Sequence, residues 1–95
     1  MKIVKNSCYG GFSLSEEAYN LLDMPWDGYG YDFNNDRDNP KLIEVVETLG
    51  TDKNGWALAS GKHANLVIVE VPADTEWYID EYDGWETVRE KHRTW

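Results

Sequence analysis

The chain has a single cysteine, Cys8, which excludes an intramolecular disulfide. A lone thiol fits a reducing cytoplasm better than an oxidising compartment. Histidine is nearly as scarce: His63 and His92 are the whole supply, and neither has a cysteine or histidine at zinc-ligand spacing. Nothing in the spacing joins Cys8 to either imidazole as nucleophile and base, and a cysteine at a strand end more simply serves as a small buried hydrophobe. Basic residues are few, nine Lys and Arg against eighteen Asp and Glu, for a formal net charge of −9. Such a field repels nucleic-acid phosphates and anionic membrane and favours cationic partners. Direct nucleic-acid binding is therefore not expected; solubility and mimicry of a nucleic-acid surface both remain open as reasons for the acidity. No long hydrophobic run exists. The longest, Leu66–Val69, is far shorter than the roughly 20 residues of a membrane helix, and Met1–Asn6 turns polar too soon for a signal peptide. The expectation is a soluble cytoplasmic protein.

Aromatic residues, by contrast, are abundant: five Trp, six Tyr and two Phe among 95 residues. That length holds one domain and one core. Large rings bury much area per residue, which helps a small domain offset its chain entropy.

Ile3 and Val4 begin a short strand that stops at Gly10-Gly11. In Phe12-Ser13-Leu14-Ser15-Glu16-Glu17, Ser13 and Glu16 have the spacing of a capping box. Leu14, Ala18, Leu21 and Leu22 then recur on one helical face until Pro25. Residues 26–39 mix Trp26, Tyr29, Tyr31 and Phe33 with glycines and acids, which reads as an ordered loop pinned by its aromatics. Asn39-Pro40 opens a second segment, in which Leu42, Val46 and Leu49 share a helical face before Gly50. Its β-branched residues leave residues 42–49 open to a strand reading as well. Leu66–Val71 is β-branched and apolar on both faces, as expected of a central strand covered on both sides. Trp77–Tyr82 and Trp85–Glu90 flank Asp83-Gly84, the preferred pair for a two-residue type I′ hairpin turn. That register sets Tyr82 opposite Trp85, Ile79 opposite Val88 and Tyr78 opposite Arg89. It also opposes Glu81 and Glu86, a like-charge pair that requires either full solvation or a cation from elsewhere. The expected fold is a single α+β domain, mostly antiparallel sheet, with two helices and a C-terminal β-hairpin.

No catalytic, metal or cofactor signature is complete. Asp32-x-Asn34-x-Asp36 starts like a calcium loop but has Arg37 where glycine is needed and Ile43 where a bidentate glutamate is needed. Two surfaces are left as candidate sites. One is the hairpin, whose Asp80, Glu81, Asp83 and Glu86 lie among Trp77, Tyr82 and Trp85 and suit a partner with a basic surface. The other is an anion site made from Gly10, Gly11 and the tail residues Lys91, His92, Arg93 and Trp95, for a small ligand such as a nucleotide signal. Spare aromatic surface is also compatible with a homo-oligomer.

Cys8-Tyr9-Gly10-Gly11-Phe12-Ser13-Leu14-Ser15, Asn39–Glu47, Glu76–Gly84 and Glu90–Trp95 together resemble a group of small proteins encoded by bacteriophages and prophages, for which no activity is assigned. The resemblance spans nearly the whole chain and is most specific in its first and last segments. Some members carry a longer insertion where this chain has residues 26–39. It implies expression inside an infected bacterium and supplies no catalytic residues. Small phage proteins without catalytic motifs are often inhibitors of host machinery, including defence systems, so the leading expectation is a protein-binding inhibitor and the rival is a small-ligand sponge.

Overall fold

The computed structural model describes residues 1–90 of the chain, in the order β1 (Lys2–Asn6), α1 (Glu16–Leu21), α2 (Pro40–Leu49), β2 (Leu66–Glu70), β3 (Trp77–Tyr82) and β4 (Trp85–Glu90). The α+β class and the hairpin agree with the sequence reading. The strands form two antiparallel two-stranded sheets, β1 with β2 and β3 with β4. No helix among the described residues is long and apolar enough to cross a membrane.

Two details of the sequence reading are corrected. The strand buried on both faces is β1, where the adjacent residues Ile3 and Val4 are both fully buried. β2 pairs only with β1, and beyond Leu66 it is half-buried and then exposed. Its β-branched run made it a strand without making it central. The second correction is the start of α1, which lies two residues later than the capping-box spacing implies. Ser15 is the N-cap, and its Oγ accepts a hydrogen bond from the Ala18 N–H at 3.2 Å. Ser13 and Leu14 are extended instead: Leu14 bridges Ser60, and the Ser13 carbonyl accepts from the Gly61 N–H. Consequently Leu21 faces solvent, and Tyr19 takes the buried position beside Ala18.

The β-branched segment 42–49 is a helix. Asn39 caps it through its side-chain oxygen, which accepts from the Lys41 N–H at 2.9 Å, and Pro40 occupies the first turn. Leu42, Val45 and Val46 point inward, where they meet Val4, Leu14, Ala18, Tyr19 and Leu66 in one hydrophobic core. Residues 26–39 contain no helix or strand. Polar bonds hold this loop as much as its aromatic rings do. Asp27 accepts from the Tyr29 and Gly30 N–H groups, both at 2.8 Å, an arrangement that holds its carboxyl below the usual carboxylate range. The Arg37 carbonyl accepts from the Val4 N–H, while Trp26 packs edge-on against Tyr19 at 5.1 Å.

Candidate functional site

Asp83 and Gly84 adopt φ values of 50° and 88°, the left-handed pair that a type I′ turn requires. The turn fixes the register expected from sequence, with Tyr82 opposite Trp85, Ile79 opposite Val88 and Tyr78 opposite Arg89. Residues facing one another across an antiparallel pair share a face. One face of the hairpin therefore carries Trp77, Ile79, Glu81, Glu86 and Val88, and the other carries Tyr78, Asp80, Tyr82, Trp85, Thr87 and Arg89.

The first face is turned inward. Its central residue, Glu86, is 5% exposed and meets the cation that its opposition to Glu81 called for. Arg37 forks onto it, with Nη1 at 2.6 Å from Oε1 and Nη2 at 2.8 Å from Oε2. The same guanidinium lies over the Phe12 ring, 3.8 Å from its centroid. Glu86 Oε1 also accepts from the Asn6 backbone N–H at 2.8 Å. Fully buried Asn6 completes the anchor: its amide donates to the Gly84 and Cys8 carbonyls, both at 2.7 Å, and its oxygen accepts from the Asn65 N–H at 2.8 Å. The hairpin is thus held on β1 by buried polar side chains, with β4 as the strand beside β1 and β3 outside it. Glu86, expected among the partner-facing acids, belongs to this anchor and leaves the candidate surface.

The second face is open. Tyr82 is 74% exposed, and Tyr78 and Trp85 are also exposed. Tyr9, from the segment after β1, joins them by packing against Trp85 with ring centroids 5.1 Å apart and planes at 49°. A cleft of about 230 Å³ lies here, lined by Tyr9, Tyr82, Trp85, Asp80, Glu81 and Arg89, with Thr87. Asp80 pairs with Arg89 at 2.8 Å, and Glu81 Oε1 accepts from the Gly84 N–H at 2.9 Å. The Asp83 side chain makes no hydrogen bond or ion pair among the described residues. Of the residues expected at a partner surface, the structure brings together Asp80, Glu81, Tyr82, Asp83 and Trp85, while Trp77 is half-buried on the inner face. Sequence reading missed Tyr9, Tyr78, Thr87 and Arg89. Strand alternation from Tyr82 reaches Tyr78; nothing in the sequence links Tyr9 to Trp85.

Gly10 and Gly11 do not form a helix-terminal anion site. Four residues separate Gly11 from α1, where the Ser15 side chain takes the Ala18 N–H. Gly10 packs against the His63 backbone, and Gly84 packs against the backbone of Gly10 and Gly11, too closely in both places for a side chain. The depression beside them is bordered by Glu81 and Asp83, which repel anions. The tail residues Lys91, His92, Arg93 and Trp95 lie outside the described residues. Glu90 stands at the far end of β4 from this turn, roughly 20 Å away along the strand.

Each side chain of the calcium-like segment has one oxygen engaged by a neighbouring protein donor. Asp32 accepts from the Tyr19 hydroxyl at 2.7 Å, Asn34 from Arg37 Nη2 at 2.8 Å, and Asp36 from the Asn39 amide at 2.8 Å. Burial, and then the hydrogen bond to Asp32, push the Tyr19 hydroxyl up to about 12. Folded protein therefore keeps this proton over a range where the unfolded chain has lost it. The stability it contributes is complete below about pH 10 and falls as pH rises through about 12. Urea midpoints at about pH 9 and about pH 11 should fall less steeply for Tyr19→Phe than for wild type, although the variant starts about 1 kcal/mol less stable. An equal fall in both proteins would remove Tyr19 from the alkaline transition.

Comparison with protein-family models, with curated proteins and with solved structures finds no match to this chain.

Proposed function

We propose that the chain is a protein-binding inhibitor that presents the outer face of its hairpin to a basic surface on a host protein. The observation that carries this reading is the exposure of Tyr9, Tyr78, Tyr82 and Trp85 as one patch that the core does not use. Aromatic rings at the centre of an interface supply large contact area at low entropic cost and dominate binding energy. Asp80, Glu81 and Asp83 edge the patch, and a net charge of −9 favours a basic partner and speeds its encounter. The resemblance to phage-encoded proteins supports a partner in the infected bacterium, and the absence of any complete catalytic motif in the sequence supports inhibition by binding rather than chemistry.

The test is capture of the partner from host lysate, followed by titration with the purified partner. Tyr82→Ala should weaken binding by about 2 kcal/mol, roughly 30-fold. Its own stability should change by no more than about 1 kcal/mol, the size of one lost cross-strand contact. Unchanged affinity for this variant would place the interface elsewhere.

A further inference from the structure

The geometry points to the cleft between Tyr9, Tyr82 and Trp85 as a pocket for a single arginine side chain of the partner protein. This rests on the reading of the hairpin as the contact surface and names the chemical group that it receives. Tyr9 and Trp85 pack against each other at 49° with centroids 5.1 Å apart, so together they form one aromatic wall of the cleft. Tyr82, opposite Trp85 in register, supplies a third ring and is the most exposed of the three. Ring faces attract cations, and the planar guanidinium both stacks on them and forks onto a carboxylate.

Two carboxylates, Asp80 and Glu81, line the cleft together with the cation Arg89. Asp80 is engaged by Arg89, but Glu81 uses only Oε1, in accepting from the Gly84 N–H. Asp83 borders the adjoining depression, which shares Tyr9 and Glu81 with the cleft. At about 230 Å³ the cleft holds one side-chain end and not a peptide segment. The protein uses the same combination internally: the Arg37 guanidinium lies on Phe12 and forks onto Glu86. Around the cleft the rings recur on the outer face, Glu81 borders them from a strand position that alternates onto the inner face, and the partner supplies the guanidinium. A lysine ammonium would satisfy the charge but forfeits the flat stacking and the fork.

The test is an NMR titration of the whole chain with a short blocked peptide carrying one arginine between glycines. Two control peptides replace that arginine with neutral, isosteric citrulline or with lysine. The arginine peptide should give saturable shifts of the Trp85 indole N–H and of the Tyr9 and Tyr82 ring signals. Citrulline should give none, and lysine should bind more weakly. Tyr82→Ala should weaken arginine binding by about two- to fivefold. Glu81→Gln, which keeps an acceptor for the Gly84 N–H, should weaken it further while leaving the turn signals in place. Equal shifts with arginine and citrulline, or no saturable shift at these rings, would overturn the arginine pocket. The contact surface is judged separately, by the effect of Tyr82→Ala on the captured partner, so the two proposals fail by different results.

Discussion

Glu86→Ala is expected to cost about 3–5 kcal/mol of folding free energy, the largest loss of any single substitution considered for this chain. The loss comes less from the attraction between Glu86 and Arg37 than from what its removal leaves behind. Arg37 is 4% exposed, so its charge would stay buried with neither of the two bonds to Glu86, and the Asn6 N–H would lose its acceptor as well. For a domain of this size, each kcal/mol lowers the melting temperature by about 4–8 °C. The variant should therefore be largely unfolded, or have its hairpin detached, at temperatures where the wild-type chain is still folded. Arg37→Ala should cost a similar amount, because it strands the carboxylate. The double variant should be more stable than the sum of the single losses predicts, since removing both partners leaves no uncompensated charge. A double-mutant cycle in urea measures the coupling. Additive losses would mean that the pair is solvated and that the hairpin is held by something else.

Asn6→Ala is expected to cost about 3 kcal/mol. The substitution removes three hydrogen bonds at once and leaves the buried Gly84 carbonyl without a donor. Its effect should be concentrated at the hairpin turn, so hydrogen exchange should accelerate in β3 and β4 before it does in α2. Uniform acceleration across the chain would show instead that hairpin and core open as one unit. Either outcome separates anchoring from binding, because neither Asn6 nor Glu86 reaches the outer aromatic face.

Where the sequence was legible, a local rule was at work. Asp83-Gly84 dictates the turn, and the turn dictates the register of the twelve hairpin strand residues. Asn39-Pro40 at one end and Gly50 at the other mark out α2, and that decides a segment whose β-branched residues alone left it open. The inward face of the hairpin was not legible. Period-two alternation separates its residues into two sets, but each set contains aromatics and charges, so composition does not say which is buried. The deciding contact is Arg37 with Glu86, 49 residues apart. In the sequence Arg37 appears only as the residue that spoils a calcium loop. The start of α1 was misplaced for a related reason: Ser13 satisfies the capping spacing but is drawn into an extended bridge with a segment far along the chain. The candidate site was half legible. Tyr82, Trp85 and the acids follow from the turn, whereas Tyr9 comes to Trp85 only through the anchor at Asn6.

That anchor joins residues 78 positions apart, Asn6 and Gly84, and β1 itself pairs with a strand that begins only at Leu66. During synthesis at about 5–20 residues per second, β1 would wait roughly 3–12 s for β2 to be made, and longer for the hairpin. Ile3 and Val4, both fully buried in the folded chain, have no native strand partner throughout that interval. Folding must then await late, non-local closure, which is slow compared with forming a helix. The nascent chain exposes a short sticky strand near its beginning, which would make its yield sensitive to chaperone supply and to temperature during expression.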